Sequence, residues 1–181
     1  MNIPNFISLA RLIAVPLIVY LILQASYGWA FWIFVLAGVS DALDGYLAKR
    51  MDQVSNLGSY LDPIADKSLL VAVYLTLGLQ GLIDDLVVIL VVFRDLMIVG
   101  GVVMLFIFRN HSKVEPILVS KFNTGAQLLL VTVVLAEAGN GFTIPLLDAT
   151  LSNLVIGTTI LSGGWYLVRW GRQMTNVEES R

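Results

Sequence analysis

Apolar positions along this chain fall into six long runs separated by short polar breaks. The runs lie near Phe6–Gln24, Gly28–Leu47, Ser59–Leu79, Leu86–Phe108, Phe122–Ala138 and Ala149–Val168. A bilayer core of about 30 Å is crossed by about 20 mostly apolar helical residues. Barrel strands would instead alternate in polarity over about 10 residues, and these runs are continuous. The pattern predicts an all-α polytopic membrane protein with six transmembrane helices. Turn-forming stretches divide the runs, among them Met51-Asp52-Gln53, Gln80-Gly81 and Ala138-Gly139-Asn140-Gly141. The opening Asn2–Ser8 reads as a short N-terminal interfacial segment. The first run reads as a retained span, because little positive charge precedes it and the one cleavage candidate, near Ala25, is weak. No internal repeat is visible, and residues 1–181 read as a single membrane domain.

Composition agrees with the pattern. Of 181 residues 57% are hydrophobic and 13% charged, against roughly 25% charged in a soluble domain. The net charge of −2 argues against a basic nucleic-acid-binding surface. Cysteine is absent, which excludes disulfides, thiolate metal sites and cysteine nucleophiles. Charge placement predicts orientation. Arg11, Lys49, Arg50, Arg109, Lys113, Lys121, Arg169 and Arg172 gather at one set of helix ends. The opposite loops carry Asp84, Asp85, Glu137 and Asp148 and no Lys or Arg. The positive-inside rule then places both termini on the cytoplasmic side. Tyr27, Trp29, Trp32, Trp165 and Trp170 fall near span ends and read as interfacial anchors. His111, the only histidine, reads as a solvated loop residue.

The densest chemistry lies between Ser40 and Lys67. Asp41 and Asp44, spaced i, i+3, share a face of the second helix, and Asp62 and Asp66, spaced i, i+4, share a face of the third. An antiparallel hairpin of the two helices would bring Asp41 level with Asp66 and Asp44 level with Asp62. Each mid-span carboxylate costs about 2.5–3.5 kcal/mol even on the lenient insertion scale. Four together therefore call for cations, and Lys67 and Arg50 are too few. All-oxygen ligation suits Mg²⁺, Mn²⁺ or Ca²⁺ rather than zinc, and four carboxylates can hold two ions. Gly45, Ala48 and Gly58 flank them with small side chains that leave room for a bulky group or for close helix packing. Asp52, in the intervening loop, reads as solvated.

These residues resemble the signature of the CDP-alcohol phosphatidyltransferase family, D-x2-D-G-x2-A-R-x8-G-x3-D-x3-D. Here it reads Asp41, Asp44, Gly45, Ala48, Lys49, Gly58, Asp62 and Asp66. The departure is Lys49 in place of Arg, which keeps the charge and loses the bidentate fork. Asn2-Ile3-Pro4-Asn5 and Arg11 are similar to the family's N-terminal lead-in. Phe93-Arg94-Asp95 and Ser120-Lys121-Phe122-Asn123-Thr124 resemble segments of the eukaryotic-type cardiolipin synthase branch.

The resemblance implies six membrane helices, a homodimer, and two bound divalent ions, Mg²⁺ or Mn²⁺. It implies transfer of a phosphatidyl group from CDP-diacylglycerol to phosphatidylglycerol with release of CMP, at a site on the cytoplasmic side. Asp41, Asp44, Asp62 and Asp66 become metal ligands, and Asp66 also the general base. Asn5, Arg11, Asp44, Gly45, Ala48, Lys49 and Gly58 become donor-binding residues. Arg94, Lys121, Asn123 and Gln127 become candidates for the acceptor, by charge for the first two and by amide hydrogen bonding for the last two. Each has a plainer reading: an interhelical ion pair for Arg94, headgroup snorkelling for Lys121, and interhelical hydrogen bonding for Asn123 and Gln127. Asp95 follows Arg94 directly, about 100° away around the helix, so adjacency alone does not make it the partner. Glycerol-3-phosphate is the alternative acceptor, and a cation transporter the remote alternative outside the family.

Overall fold

The computed structural model describes the backbone over residues 3–51, 58–107 and 118–178, and side chains over residues 10–40, 67–101 and 118–166. Among the described residues there are six helices and no strand: α1 (Ile3–Leu23), α2 (Tyr27–Met51), α3 (Gly58–Leu79), α4 (Asp85–Ile107), α5 (Leu118–Asn140) and α6 (Pro145–Glu178). Each apolar run of the sequence is one helix. Two ends differ from expectation. The interfacial segment is not separate, since α1 is helical from Ile3 onward; Pro4 lies in its first turn, where the missing N–H has no intrahelical partner to lose. At the other end α6 continues to Glu178, past Val168, because no proline interrupts the polar stretch that follows.

The ends opposite the acidic motif are closed by local chemistry. Ala25, with φ 53°, ends α1, and the Ser26 N–H reaches back to the Leu21 carbonyl at 2.9 Å. Gly81, with φ 70°, ends α3 in the same way, the Leu82 N–H donating to Leu77 at 3.0 Å. This six-to-one bond satisfies a helix-end carbonyl and needs a left-handed residue. Asp84 caps α4 by accepting from the Leu86 N–H at 2.8 Å. Glu137 Oε1 accepts the Ile144 N–H at 3.0 Å and fixes the turn into α6.

Neighbouring helices close a ring in the order α1, α3, α4, α6, α5, α2 and back to α1, with α3 also touching α5 across it. The expected antiparallel hairpin of α2 and α3 around the four aspartates falls on residues 41–66, whose packing lies outside the described residues. Among the described residues α2 packs on α1 and α5, and α1 lies between α2 and α3. Ile18 and Ile22 of α1, fully buried with Ala30 and Phe34 of α2 and Leu70 and Val73 of α3, fill that position.

Polarity runs from inside to outside in an unusual sense. Large apolar side chains point outward from all six helices, including Ile13, Trp32, Leu79, Ile89, Phe122 and Leu161. Arg94, Asp95, Ser120, Asn123, Gln127, Thr159 and Ser162 are buried instead. Leu118–Asn140 and Pro145–Tyr166 are, among the described residues, the two segments long and apolar enough to cross a membrane. Ala10–Leu23, Tyr27–Ser40 and Lys67–Leu79 are shorter apolar helical stretches.

Candidate active site

Helical backbone carries every part of the acidic signature. Asp41, Asp44, Gly45, Ala48 and Lys49 lie in the second half of α2, and Gly58, Asp62 and Asp66 in the first half of α3. The i, i+3 and i, i+4 spacings therefore hold as shared helix faces. The side chains of these eight residues, and that of Asn5 on α1, lie outside the described residues, so the convergence of the four carboxylates is untested. Among the described residues no three acidic, histidine or cysteine side chains form a metal-binding group. In donor chemistry the four aspartates suit a hard divalent ion. Arg11 is buried in α1.

One residue beyond Asp66 the side chains are described, and they open onto a buried polar network. Lys67 Nζ reaches Asp95 Oδ1 of α4 at 3.2 Å and the Thr124 hydroxyl of α5 at 3.3 Å. The same Asp95 oxygen accepts from Arg94 Nη1 at 2.5 Å. Arg94 also donates to Ser162 of α6, from Nε at 3.3 Å and Nη2 at 3.0 Å. A further short bond runs from Nη2 to the Ser120 hydroxyl at the start of α5. Arg94 is 1% exposed and Asp95 0%.

Thus Arg94 pairs with Asp95 of its own helix rather than with an aspartate of another helix. The 100° step between them is real, but α4 is packed by α3 on one side and α6 on the other. Both directions are therefore interior, and the long guanidinium arm crosses the gap. A buried charge left without a partner costs several kcal/mol, which drives the two cations onto one carboxylate.

The candidate acceptor residues differ in their surroundings. Lys121 is exposed, one residue after Ser120. Asn123 is buried and accepts from the Thr158 hydroxyl at 2.7 Å and the Thr159 hydroxyl at 3.0 Å, joining α5 to α6. Gln127, one turn later, is also buried, and its backbone carbonyl accepts from the Tyr74 hydroxyl at 3.1 Å. The Gln127 amide, Asn123 Nδ2 and Asp95 Oδ2 have no hydrogen-bond partner. Such groups are rare in folded proteins and mark sites that a water or ligand completes.

Lys67, Asp95, Ser120, Thr124 and Ser162 were not singled out as site residues from sequence. A signal was present for two of them. Lys67 is the one cation in the third apolar run, and Asp95 the one acid within the fourth, and intramembrane ionisable residues are functional candidates by default. The serines and threonines carry no such mark, since they are common in membrane helices.

An all-helical bundle with apolar residues outward, a charged interior and two pairs of aspartates on consecutive helices has the make-up of a membrane enzyme. The chain belongs to the CDP-alcohol phosphatidyltransferase family, whose sequence profile matches residues 1–166. It is 37% identical, over 198 aligned positions, to CDP-diacylglycerol–glycerol-3-phosphate 3-phosphatidyltransferase 1, chloroplastic, of Oryza sativa subsp. japonica, covering 94% of this chain and 57% of that protein. It is 35% identical over 154 positions to the cardiolipin synthase (CMP-forming) of Rattus norvegicus, covering 75% and 50%. It is 32% identical over 174 positions to a putative cardiolipin synthase of Mycobacterium bovis, covering 94% and 76%. The chain spans about half the length of the first two relatives.

Proposed function

We propose that this protein is a membrane-embedded phosphatidyltransferase that uses CDP-diacylglycerol as donor and phosphatidylglycerol as acceptor, giving cardiolipin and CMP. The observation that carries the reading is the complete set of signature aspartates, at i, i+3 and i, i+4 on two consecutive helices of a chain in this family. The outward apolar faces of all six helices support six membrane spans. The lysine and arginine asymmetry supports a cytoplasmic site and cytoplasmic termini.

In this reading Asp41, Asp44, Asp62 and Asp66 hold two divalent ions, Mg²⁺ or Mn²⁺, which when bound neutralise the donor pyrophosphate. Arg11, Asn5, Lys49 and the small residues Gly45, Ala48 and Gly58 receive the cytidine nucleotide. Asp66 takes the proton of the acceptor hydroxyl. That oxygen forms a bond to the phosphatidyl phosphorus, and the bond from this phosphorus to the bridging oxygen breaks, so CMP leaves. No protein nucleophile is needed. Lys121 meets the acceptor phosphate, and the unpartnered amide groups of Asn123 and Gln127 meet its glycerol hydroxyls. Arg94, with four of its five N–H groups engaged by protein, enters as the residue that holds the start of α5.

A second reading has a specific observation behind it. The rice relative, matched over 94% of this chain, carries glycerol-3-phosphate in its name, and Lys121 suits that dianion equally well. Assay of the purified protein with CDP-diacylglycerol, Mn²⁺ and each acceptor in turn separates the two. CMP release with phosphatidylglycerol alone is expected. Release with glycerol-3-phosphate alone would replace cardiolipin by phosphatidylglycerophosphate as the product.

A further inference from the structure

Among the described residues Asp95 bonds neither Lys121, Asn123 nor Gln127, yet it sits at a junction of the helices α3, α4, α5 and α6. Its Oδ1 holds Lys67, which follows Asp66 directly on α3, and Arg94, which ties Ser120 on α5 and Ser162 on α6. Lys67 adds a direct bond to Thr124 on α5. One carboxylate oxygen thus fastens four helices through two cations. The helix on one side of the clasp bears Asp62 and Asp66; the helix on the other bears Lys121, Asn123 and Gln127.

A clasp built only for stability has no need of these charges. Apolar residues of similar volume stabilise a buried position as well or better, and the core nearby, at Leu69, Leu70 and Val73, is already apolar. A bridging carboxylate offers direction instead, because each bond has a preferred distance and angle. The short arm of Asp leaves little slack between α3 and α4.

We infer that Asp95 is a positioning residue for phosphatidyl transfer: through Lys67 and Arg94 it sets α3, with the base Asp66, against α5, with the acceptor-binding residues. The inference rests on the proposed transferase reading and adds to it a residue outside the signature. Its consequence is selective. The donor and the metal are held by α2 and the start of α3, two helices that α1 joins by packing on both. The acceptor is held on the far side of the clasp, so loosening it misaligns the attacking hydroxyl and leaves the donor in place.

The test uses the full chain and compares wild type with Asp95→Asn, Lys67→Met, the double variant and Ser120→Ala. Donor, acceptor and Mn²⁺ are varied separately, with phosphatidylglycerol and glycerol-3-phosphate each tried as acceptor. Asp95→Asn keeps the shape and removes the charge. It is expected to lower kcat/KM for the acceptor by about 10- to 100-fold, the range typical of lost support around a catalytic group. The KM for CDP-diacylglycerol and the half-activating Mn²⁺ concentration are expected to stay within about twofold. The double variant is expected to lose no more than the worse of the two single ones, as members of one unit do. Ser120→Ala leaves every charge in place and covers the case in which Asp95→Asn does not fold. It is expected to lower acceptor kcat/KM by about 3- to 10-fold, as loss of one charge-assisted hydrogen bond does. Equal losses in the donor and acceptor constants, additive losses in the double variant, or Ser120→Ala at the wild-type level would each overturn the inference while active wild type keeps the transferase reading. Wild type inert with both acceptors would overturn that reading and the inference together.

Discussion

Ala25 holds a left-handed backbone with a φ of 53° at the end of α1, a position where a β-carbon costs about 1–2 kcal/mol. Glycine removes that strain and loses about 0.4–1 kcal/mol through its freer unfolded chain. Ala25→Gly is therefore expected to stabilise the protein by about 0.5–1 kcal/mol, read as a higher unfolding temperature in detergent with activity unchanged. Arg94 makes the opposite case. Its planar fork spans Asp95, Ser120 and Ser162 at once, and lysine has a single point of attachment. Arg94→Lys is expected to destabilise by about 1–3 kcal/mol, measured by the same unfolding. At this scale the sequence was readable where a residue is costly in a membrane. Arg94 stood out on those grounds and is buried. Its partners were not readable, because helical phase alone separates Arg94 from Asp95 by 100° and says nothing of which neighbours surround the helix.

Helix contacts are set by small residues at two close approaches. A β-carbon on Gly139 of α5 would lie 3.0 Å from the Gly28 nitrogen and 3.1 Å from its Cα, both backbone atoms of α2. Backbone gives way less than a side chain, so Gly139→Ala is expected to cost about 1–3 kcal/mol by forcing α2 and α5 apart. A β-carbon on Gly78 of α3 would come closest to the Val88 Cγ2 methyl, at 2.8 Å, and a compensating Val88→Ala is expected to recover the loss in Gly78→Ala. Unfolding of the single and double variants checks both. Apolar runs and turn residues located the helices well, since each continuous apolar run bounded by turn residues is one helix. They did not give the neighbour order. Among the described residues α1 packs between α2 and α3, through side-chain contacts that apolar runs do not encode. The acidic loops read as orientation marks also have local tasks in the structure, as with Asp84 at the start of α4.

The whole molecule joins a family signature to an interior that only the fold reveals. The four aspartates were legible because their residue type, depth and spacing are all improbable without a charged ligand. The clasp of Lys67, Asp95, Arg94 and Ser120 was not, because it joins positions far apart in sequence by contacts that no periodicity encodes. Removal of divalent ions by chelation is expected to abolish turnover, with recovery on adding Mn²⁺ or Mg²⁺. The most direct test of the central claim is CMP release from CDP-diacylglycerol by wild type and by Asp66→Asn, with saturating Mn²⁺ and acceptor. Release by wild type is expected, with a loss on the order of 100-fold or more for a folded Asp66→Asn protein. Asp66→Asn turning over near the wild-type rate would contradict it.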